Sequence, residues 1–511
     1  MKEKIYAIEL NNITKTFGEV VANKDVCLNV CHGEILAILG ENGSGKTTLM
    51  NMLSGIYHPD SGEIQINGQP VTINAPKDAI DLKIGMIHQH FKLVDVLSAA
   101  DNIIMGRHQK SKKTRKSKLP SELSALCESF GFDINLSKKI YEMSVSEKQT
   151  VEILKVLYQG ADILILDEPT AVLTPQETKK LFAILKNMKQ SGAAIVIITH
   201  KLGEVMEISD RVTVLRKGES IATVETAETT PKQLTELMVG RPVSLEIERP
   251  GVEQEKNMFE VHRLSVKNND GVYALKDVSF SLNGGEILGV AGVAGSGQKE
   301  LCETIAGLLP AEKGAVLYHE ENILGKTPAE IINLGISMSF IPEDRLGMGL
   351  VSSMDITDNM LLKSYKNGKS PFVNHKPARE LAQSLVEKLE IVTPSIKTPV
   401  RYLSGGNVQK VLLGREIESN PNLLITAYPV RGLDINSSYK IYDLLNEQKK
   451  KGVAILFIGE DLDVMLGLCD RVLVLCHGEI TGIVDAKTTT KEEIGLLMTG
   501  ETKTQQEEDA E

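Results

Sequence analysis

Tryptophan is absent, and aromatic residues make up only 4% of the 511 residues. Long apolar runs are missing too. A membrane-spanning helix needs about 20 apolar residues in a row, whereas runs such as Ile163-Leu164-Ile165-Leu166 have the length of a strand. The opening stretch, Met1 to Leu10, lacks the apolar core of a secretory signal. Basic residues number 57 against 68 acidic, a net charge of -11. That balance argues against nucleic-acid binding by bulk charge while leaving room for a local basic patch. Cysteine is scarce as well. Cys27, Cys31, Cys127, Cys302, Cys469 and Cys476 form no C-x-x-C pair and match no zinc framework. Packing is the expected role of Cys27 and Cys31, and a reducing compartment fits. Together these absences describe a cytosolic chain whose membrane role, if it has one, runs through a partner.

What is present is a repeat. The chain is too long for one core. The segment Ile35 to Thr47 returns as Ile287 to Lys299, Gly40 matching Gly292 at an offset of 252 (292 minus 40). Ser144 matches Ser404, Pro169 matches Pro429 and His200 matches Glu460, each at an offset of 260 (460 minus 200 for the last). Two homologous halves therefore run in the same order, 1–243 and 257–500. A polar linker over 244–256 joins them, and an acidic tail over 501–511 is expected to be disordered. Each half alternates strand-length apolar runs with helical patterns, which predicts an α/β sheet with crossover helices. Residues 107–143 and 361–402 lack such strands and read as helical inserts. The first insert opens on a basic run, Arg107 to Lys118. It reads as a solvated loop or as a contact for anionic lipid or an acidic partner.

The chemistry concentrates in the first half. Gly40-Glu41-Asn42-Gly43-Ser44-Gly45-Lys46-Thr47-Thr48 contains the complete P-loop pattern, after an apolar strand and before a helical stretch. Glycines let backbone N–H groups close on phosphate oxygens, and the helix dipole adds to the attraction. Lys46 is placed to reach the terminal phosphates of a nucleotide, and the Thr47 hydroxyl to ligate Mg2+. Ile163 to Glu168 is a buried-type strand ending in two acids. Asp167 fits a carboxylate that holds Mg2+ through water. Glu168 fits a general base for an attacking water.

Gly40–Thr47, Asp167-Glu168-Pro169-Thr170, Thr199-His200 and, in the second half, Leu403-Ser404-Gly405-Gly406-Asn407 resemble the nucleotide-binding domains of ABC ATPases. The resemblance covers nearly the whole chain, in two copies. It implies two tandem P-loop domains, each with an α/β core, an antiparallel β subdomain and a helical subdomain. It also implies roles for residues that spacing does not reach. Gln89 becomes the Q-loop residue near Mg2+ and water, His200 the switch residue on the γ-phosphate, and Phe17 the aromatic that stacks on adenine. In this family ATP lies between the P-loop of one domain and the signature segment of another. One composite site would then join Lys46, Thr47, Gln89, Asp167, Glu168 and His200 to Ser404, Gly405, Gly406 and Asp434.

The other composite site is altered almost everywhere. Gln298 and Lys299 stand at the Lys46 and Thr47 positions, Ala427 and Tyr428 at Asp167 and Glu168, Glu343 at Gln89, Glu460 at His200 and Asn269 at Phe17. Its signature reads Met143-Ser144-Val145-Ser146-Glu147, and Thr174 stands at the Asp434 position. The defects spare one composite site and fall on the other, so no hydrolysis is expected at the second. The opposing reading is that Lys299 and Glu343 rebuild it.

Local wording such as His88-Gln89-His90-Phe91, Thr170 to Pro175 and Ile341-Pro342-Glu343-Asp344-Arg345 is similar to the ATPase subunits of simple-sugar and nucleoside importers, closest to the nucleoside branch. The first signature of that branch usually reads Ser-Val-Gly-Glu where Ser144-Val145-Ser146-Glu147 stands here, and its second Walker B strand usually ends Ala-Gln rather than Ala427-Tyr428. The resemblance implies ATP and Mg2+ as cofactors and two transmembrane permease subunits as partners. It further implies an extracellular substrate-binding lipoprotein, no nucleic acid, and a peripheral position on the cytoplasmic face of the membrane. Alternatives are a ribose or galactose-type cargo, a soluble twin-cassette translation factor on the ribosome, and a nucleotide-binding module without turnover.

Overall fold

The structure is a computed structural model. It describes residues 5–88, 91–105, 119–130, 132, 134–171, 173–242, 246–252, 255–268, 271–333, 338–342, 345–365 and 373–500. Gln89, Asn269, Glu343, the run 106–118 and the tail 501–511 lie outside the described residues.

The chain divides into two compact units, Met1–Ser244 and Leu245–Glu511. In the first unit a six-stranded sheet runs Glu219–Glu225, Arg211–Arg216, Ile35–Leu39, Ala194–Thr199, Ile163–Asp167, Ile84–Ile87. Its last five strands are mutually parallel, and the first closes a hairpin on Arg211–Arg216. Ile35–Leu39, Ile163–Asp167 and Ala194–Thr199 are buried along their whole length. Strands covered on both faces read as continuous apolar runs rather than alternating ones. One face packs a core with Leu49, Met50 and Leu53 of the helix Lys46–Leu53 and with an antiparallel sheet of Ile8–Phe17, Val20–Val30, Ser61–Ile66 and Gln69–Val71. The other face packs a core with the helices Val145–Tyr158 and Pro175–Gln190.

The second unit repeats this plan. Its six-stranded sheet runs Met338–Ile341, Leu423–Ala427, Ala454–Ile458, Ile287–Ala291, Arg471–Cys476, Glu479–Asp485, and a four-stranded antiparallel sheet caps one face. Each unit thus has an α/β core, an antiparallel β subdomain and a helical subdomain. The helical subdomains open earlier than the expected inserts at 107–143 and 361–402, with Ala99–Met105 in the first unit and Ile356–Ser364 in the second.

Ion pairs repeat as faithfully as the strands. Arg211 pairs with Glu34 at 3.0 Å and Lys189 with Asp210 at 2.5 Å. Their counterparts are Arg471 with Glu286 and Lys449 with Asp470, both at 2.7 Å. Glu34, Glu286 and Lys449 are the buried members, and removing the partner of such a buried charge costs about 3–5 kcal/mol.

The segment before the second unit's first strand is anchored rather than loose. Arg249 donates to the carbonyls of Leu466 and Gly467, and Asn446 donates to the carbonyl of Glu248. Cys27 corrects an expectation. It lies exposed, its thiol 3.4 Å from the Asn12 side-chain oxygen, because it falls on the outward side of its strand. Cys31 is half-buried, whereas Cys127, Cys302, Cys469 and Cys476 are buried.

Candidate functional site

The site of the first unit forms at the carboxyl ends of three adjacent parallel strands, where open α/β sheets bind ligands. Ile35–Leu39 delivers the loop Gly40–Gly45, Ile163–Asp167 delivers Asp167 and Glu168, and Ala194–Thr199 between them delivers His200. The loop closes tightly. A Cβ on Gly40 would lie 2.4 Å from the Leu215 carbonyl oxygen. Gly45 takes φ 95°, and its Cβ would lie 2.3 Å from the Ala22 carbonyl oxygen. Only glycine fits both positions.

Lys46 is 6% exposed, and its Nζ donates to the carbonyls of Gly40 at 2.7 Å and Glu41 at 2.9 Å. Burial pulls its pKa down, opposed by the charges of Glu168, Asp167 and Glu41. The buried Ser44 hydroxyl has no hydrogen-bond partner among the described residues. A desolvated ammonium and an orphaned hydroxyl in a glycine loop at a helix N-terminus fit a polyphosphate, which would satisfy both. Thr47 Oγ1 donates to Asp167 Oδ2 at 3.3 Å. Burial and the neighbouring Glu168 charge raise the Asp167 pKa. A hydroxyl and a carboxylate so close are hard oxygen donors of the kind Mg2+ takes beside phosphate oxygens.

Glu168 follows with a left-handed backbone, φ 48°, its N–H bonded to the Ile198 carbonyl at 2.9 Å. Such a conformation is costly for a non-glycine residue and persists where surrounding structure imposes it. Glu168 Oε1 lies 2.9 Å from His200 Nδ1, and that hydrogen bond leads the effects holding its carboxyl below the usual range. Phe17 is exposed at the end of its strand, edge-on to Tyr57 with centroids 5.2 Å apart. The structure brings Lys46, Thr47, Asp167, Glu168 and His200 together; Gln89 is outside the described residues.

Sequence reading missed Glu204. Its Oε1 accepts from Thr170 Oγ1 at 2.6 Å and its Oε2 from Thr199 Oγ1 at 3.2 Å, both hydroxyls belonging to buried residues. Lys201 pairs with it at 3.1 Å and also donates to the Thr170 carbonyl. Glu204 thus ties the turn after Glu168 to the strand end before His200. The available signal was a carboxylate four residues past His200 in a chain whose second half has Val464 there.

The corresponding place in the second unit keeps the backbone and loses the chemistry. Tyr428 takes φ 51° with its N–H on the Ile458 carbonyl at 2.9 Å, the geometry of Glu168. Gln298 is buried and turned back on the Val293 carbonyl. Lys299 points along its helix toward Glu303, 3.9 Å away, with its side chain 68% exposed. Glu460 pairs with Arg431 at 3.5 Å.

The two signature segments also differ. Ser144 caps the helix Val145–Tyr158, accepting from the Glu147 N–H while Glu147 returns a bond to the Ser144 N–H. In the second unit Ser404 precedes the helix Gly405–Ile417, and its hydroxyl accepts from Asn407 Nδ2 at 2.9 Å. A Cβ on Gly405 or Gly406 would meet nothing closer than 3.4 Å. The unit's own packing therefore does not demand either glycine. Asp434 caps the helix Ile435–Lys450, with the Ser437 N–H on Oδ1 at 2.8 Å and the Ser437 hydroxyl on Oδ2 at 2.6 Å. Thr174 caps the matching helix of the first unit.

A family model described as ABC transporter matches residues 23–171 and again 275–429. The chain is 44% identical over 504 residues to the guanosine import ATP-binding protein NupO of Bacillus subtilis, covering 98% of each. It is 42% identical to the nucleoside import ATP-binding protein NupA of Lactococcus lactis, covering 96% of this chain and 98% of that one. It is 35% identical to the galactose/methyl galactoside import ATP-binding protein MglA of Clostridium perfringens, covering 97% and 95%. Among solved structures, an archaeal ribosome recycling factor, aABCE1, aligns over 91% of this chain and 87% of its own with a TM-score of 0.60 and 16% identity, a likeness of fold alone. The chain, with a twice-repeated ABC cassette and a phosphate loop built beside an Asp-Glu pair and a histidine, belongs to the ABC transporter family.

Proposed function

We propose that this chain is the ATP-hydrolysing subunit of an importer, that its cargo is a nucleoside, and that one of its two nucleotide sites turns over. The observation that carries the reading is the cluster Lys46, Thr47, Asp167, Glu168 and His200 in the first unit, set against the altered counterparts of the second. The import names of NupO, NupA and MglA support the transport role, and the first two support the nucleoside.

The geometry suits phosphoryl transfer to water. Lys46 and the loop N–H groups would hold the terminal phosphates, with Phe17 against the base. Mg2+, held by Thr47 and by Asp167 through water with Gln89 nearby, would supply charge neutralisation at the phosphate oxygens. Glu168, kept ionised by His200, would take a proton from water as it attacks, and His200 would sense the phosphate. The unit's own packing demands neither Gly405 nor Gly406, which supports Ser404, Gly405, Gly406 and Asp434 as the closing half of that site. Permeases would supply the membrane path, since no helix among the described residues is long and apolar enough to span a bilayer. An extracellular binding lipoprotein would supply the cargo on the far side, and the chain would sit on the cytoplasmic face.

Glu168→Gln should abolish turnover, a loss of at least about 10²-fold, while retaining ATP binding; sustained hydrolysis would refute the assignment. Uptake of labelled nucleoside and labelled pentose by a strain lacking this chain tests the cargo. Loss of nucleoside uptake alone supports the reading, and loss of pentose uptake alone moves the cargo to the sugars.

A further inference from the structure

Arg345 opens a single π-type turn, Arg345–Gly349, just after the edge strand Met338–Ile341. One arm of its guanidinium donates to the Gly405 carbonyl at 3.1 Å, and the other to the Arg431 carbonyl. The far end of the turn is held too, because Arg415 donates to the Gly349 carbonyl at 2.6 Å. Gly405 begins the signature helix, whereas Arg431 sits in the turn that runs through Gly432 to Asp434. One planar fork thus bridges the start of the signature helix and the turn that leads to the helix Ile435–Lys450. A guanidinium can hold two carbonyls in fixed directions, which an ammonium cannot.

Arg431 continues the connection. Its guanidinium pairs with Glu460 and lies 5.9 Å from the Tyr428 ring centroid. Glu460 and Tyr428 stand where the first half has His200 and Glu168, and the positions of Arg345 and Arg431 hold Phe91 and Ala171 there. Where one half sets Glu168 beside His200, the other sets Arg431 beside Glu460 and Tyr428, with Arg345 on the Arg431 carbonyl.

We propose that Arg345 is a positioning residue for the competent ATP site: it fixes Ser404–Gly406 and Gly432–Asp434 in one geometry, and Arg431 with Glu460 steadies the second of those segments. This rests on the reading that the second unit's signature closes the first unit's nucleotide site. On that reading the degenerate pocket is not inert remains but the scaffold that aims the signature.

The test is steady-state hydrolysis by the intact chain assembled with its permeases, together with binding of a fluorescent ATP analogue and thermal melting. Arg345→Ala should lower kcat by about 10²-fold, the scale expected when a reacting assembly is misplaced by an ångström. Analogue affinity should stay within about twofold, since the Lys46 loop is untouched. Arg345→Lys should behave like Arg345→Ala, because charge without the fork cannot span both carbonyls. An Arg345→Ala enzyme that keeps its kcat overturns the proposal. So does a kcat loss matched by an equal loss of affinity or by a lost melting transition, which would make the residue merely structural. Ser404→Arg in parallel separates the two claims. If it leaves turnover intact, the signature reading fails and this proposal with it. If it stops turnover while Arg345→Ala does not, the signature reading stands and only the role of Arg345 falls.

Discussion

Asp167 illustrates what a buried carboxylate costs the fold. Burial and the Glu168 charge raise its pKa, so its ionised form is disfavoured in the folded state. The sign is that of an acid with a raised folded pKa: stability is lost as pH rises through that value and regained as it falls. Asp167→Asn should therefore raise the melting temperature of the nucleotide-free protein at neutral pH by about 2–4 °C, the shift expected for about 1 kcal/mol in a unit of this size. The same change should remove Mg2+-dependent turnover. A lower melting temperature would mean that Thr47 gains more from the charge than burial takes. Glu168 carries the opposite sign, since the His200 hydrogen bond depresses its pKa. Glu204 acts through others. Glu204→Ala would leave the buried Thr170 and Thr199 hydroxyls without their acceptor, a loss of about 1–3 kcal/mol, and should lower kcat with little change in ATP affinity. A wild-type kcat in that variant would show that the turn after Glu168 holds itself.

At the level of elements, the two sets of glycines obey different constraints. Those at 40 and 45 are fixed from inside the unit, where a Cβ would collide with backbone oxygens of Leu215 and Ala22. Those at 405 and 406 lie in a helix with room for a Cβ, where alanine is intrinsically favoured by up to about 1 kcal/mol. Gly406→Ala should thus leave the melting temperature of the second unit unchanged or raised, yet stop hydrolysis. Gly40→Ala should lower both stability and ATP binding. If Gly406→Ala turns over normally, the glycine is not reserved for a phosphate. The helix caps separate in the same way. Ser144 is held in a reciprocal cap with Glu147, whereas the Ser404 hydroxyl accepts from a side-chain amide, that of Asn407.

Across the whole molecule, the repeat retained its ion pairs and lost the charges at the Lys46, Asp167 and Glu168 positions. The pairs Arg211–Glu34 and Lys189–Asp210 recur in the second unit, while the Thr170–Glu204–Thr199 brace becomes Val430, Val464 and Gly459. Lys299 does not replace Lys46, since it lies exposed and pairs along its own helix. Lys299→Ala should accordingly leave ATP turnover within about twofold of the wild type, on the scale of an exposed ion pair worth under about 1 kcal/mol. A large loss would mean that the second loop takes part in chemistry.

The amino-acid sequence by itself determined the repeat, the phosphate loop and the asymmetry between the halves. Each of these is written in contiguous residues whose types a backbone conformation or a phosphate dictates. The buried strands were legible for the same reason, as unbroken apolar runs such as Ile163–Leu166. What only the tertiary structure decided are relations between residues far apart in the chain: the brace from Glu204 to Thr170, the fork from Arg345 to Gly405 and Arg431, and the exposure of Cys27. A hydrogen bond spanning 60 or 86 positions leaves no period in the sequence. It exists only because parallel strands bring their carboxyl ends to one edge, and that adjacency is set by packing rather than by any local run of residues.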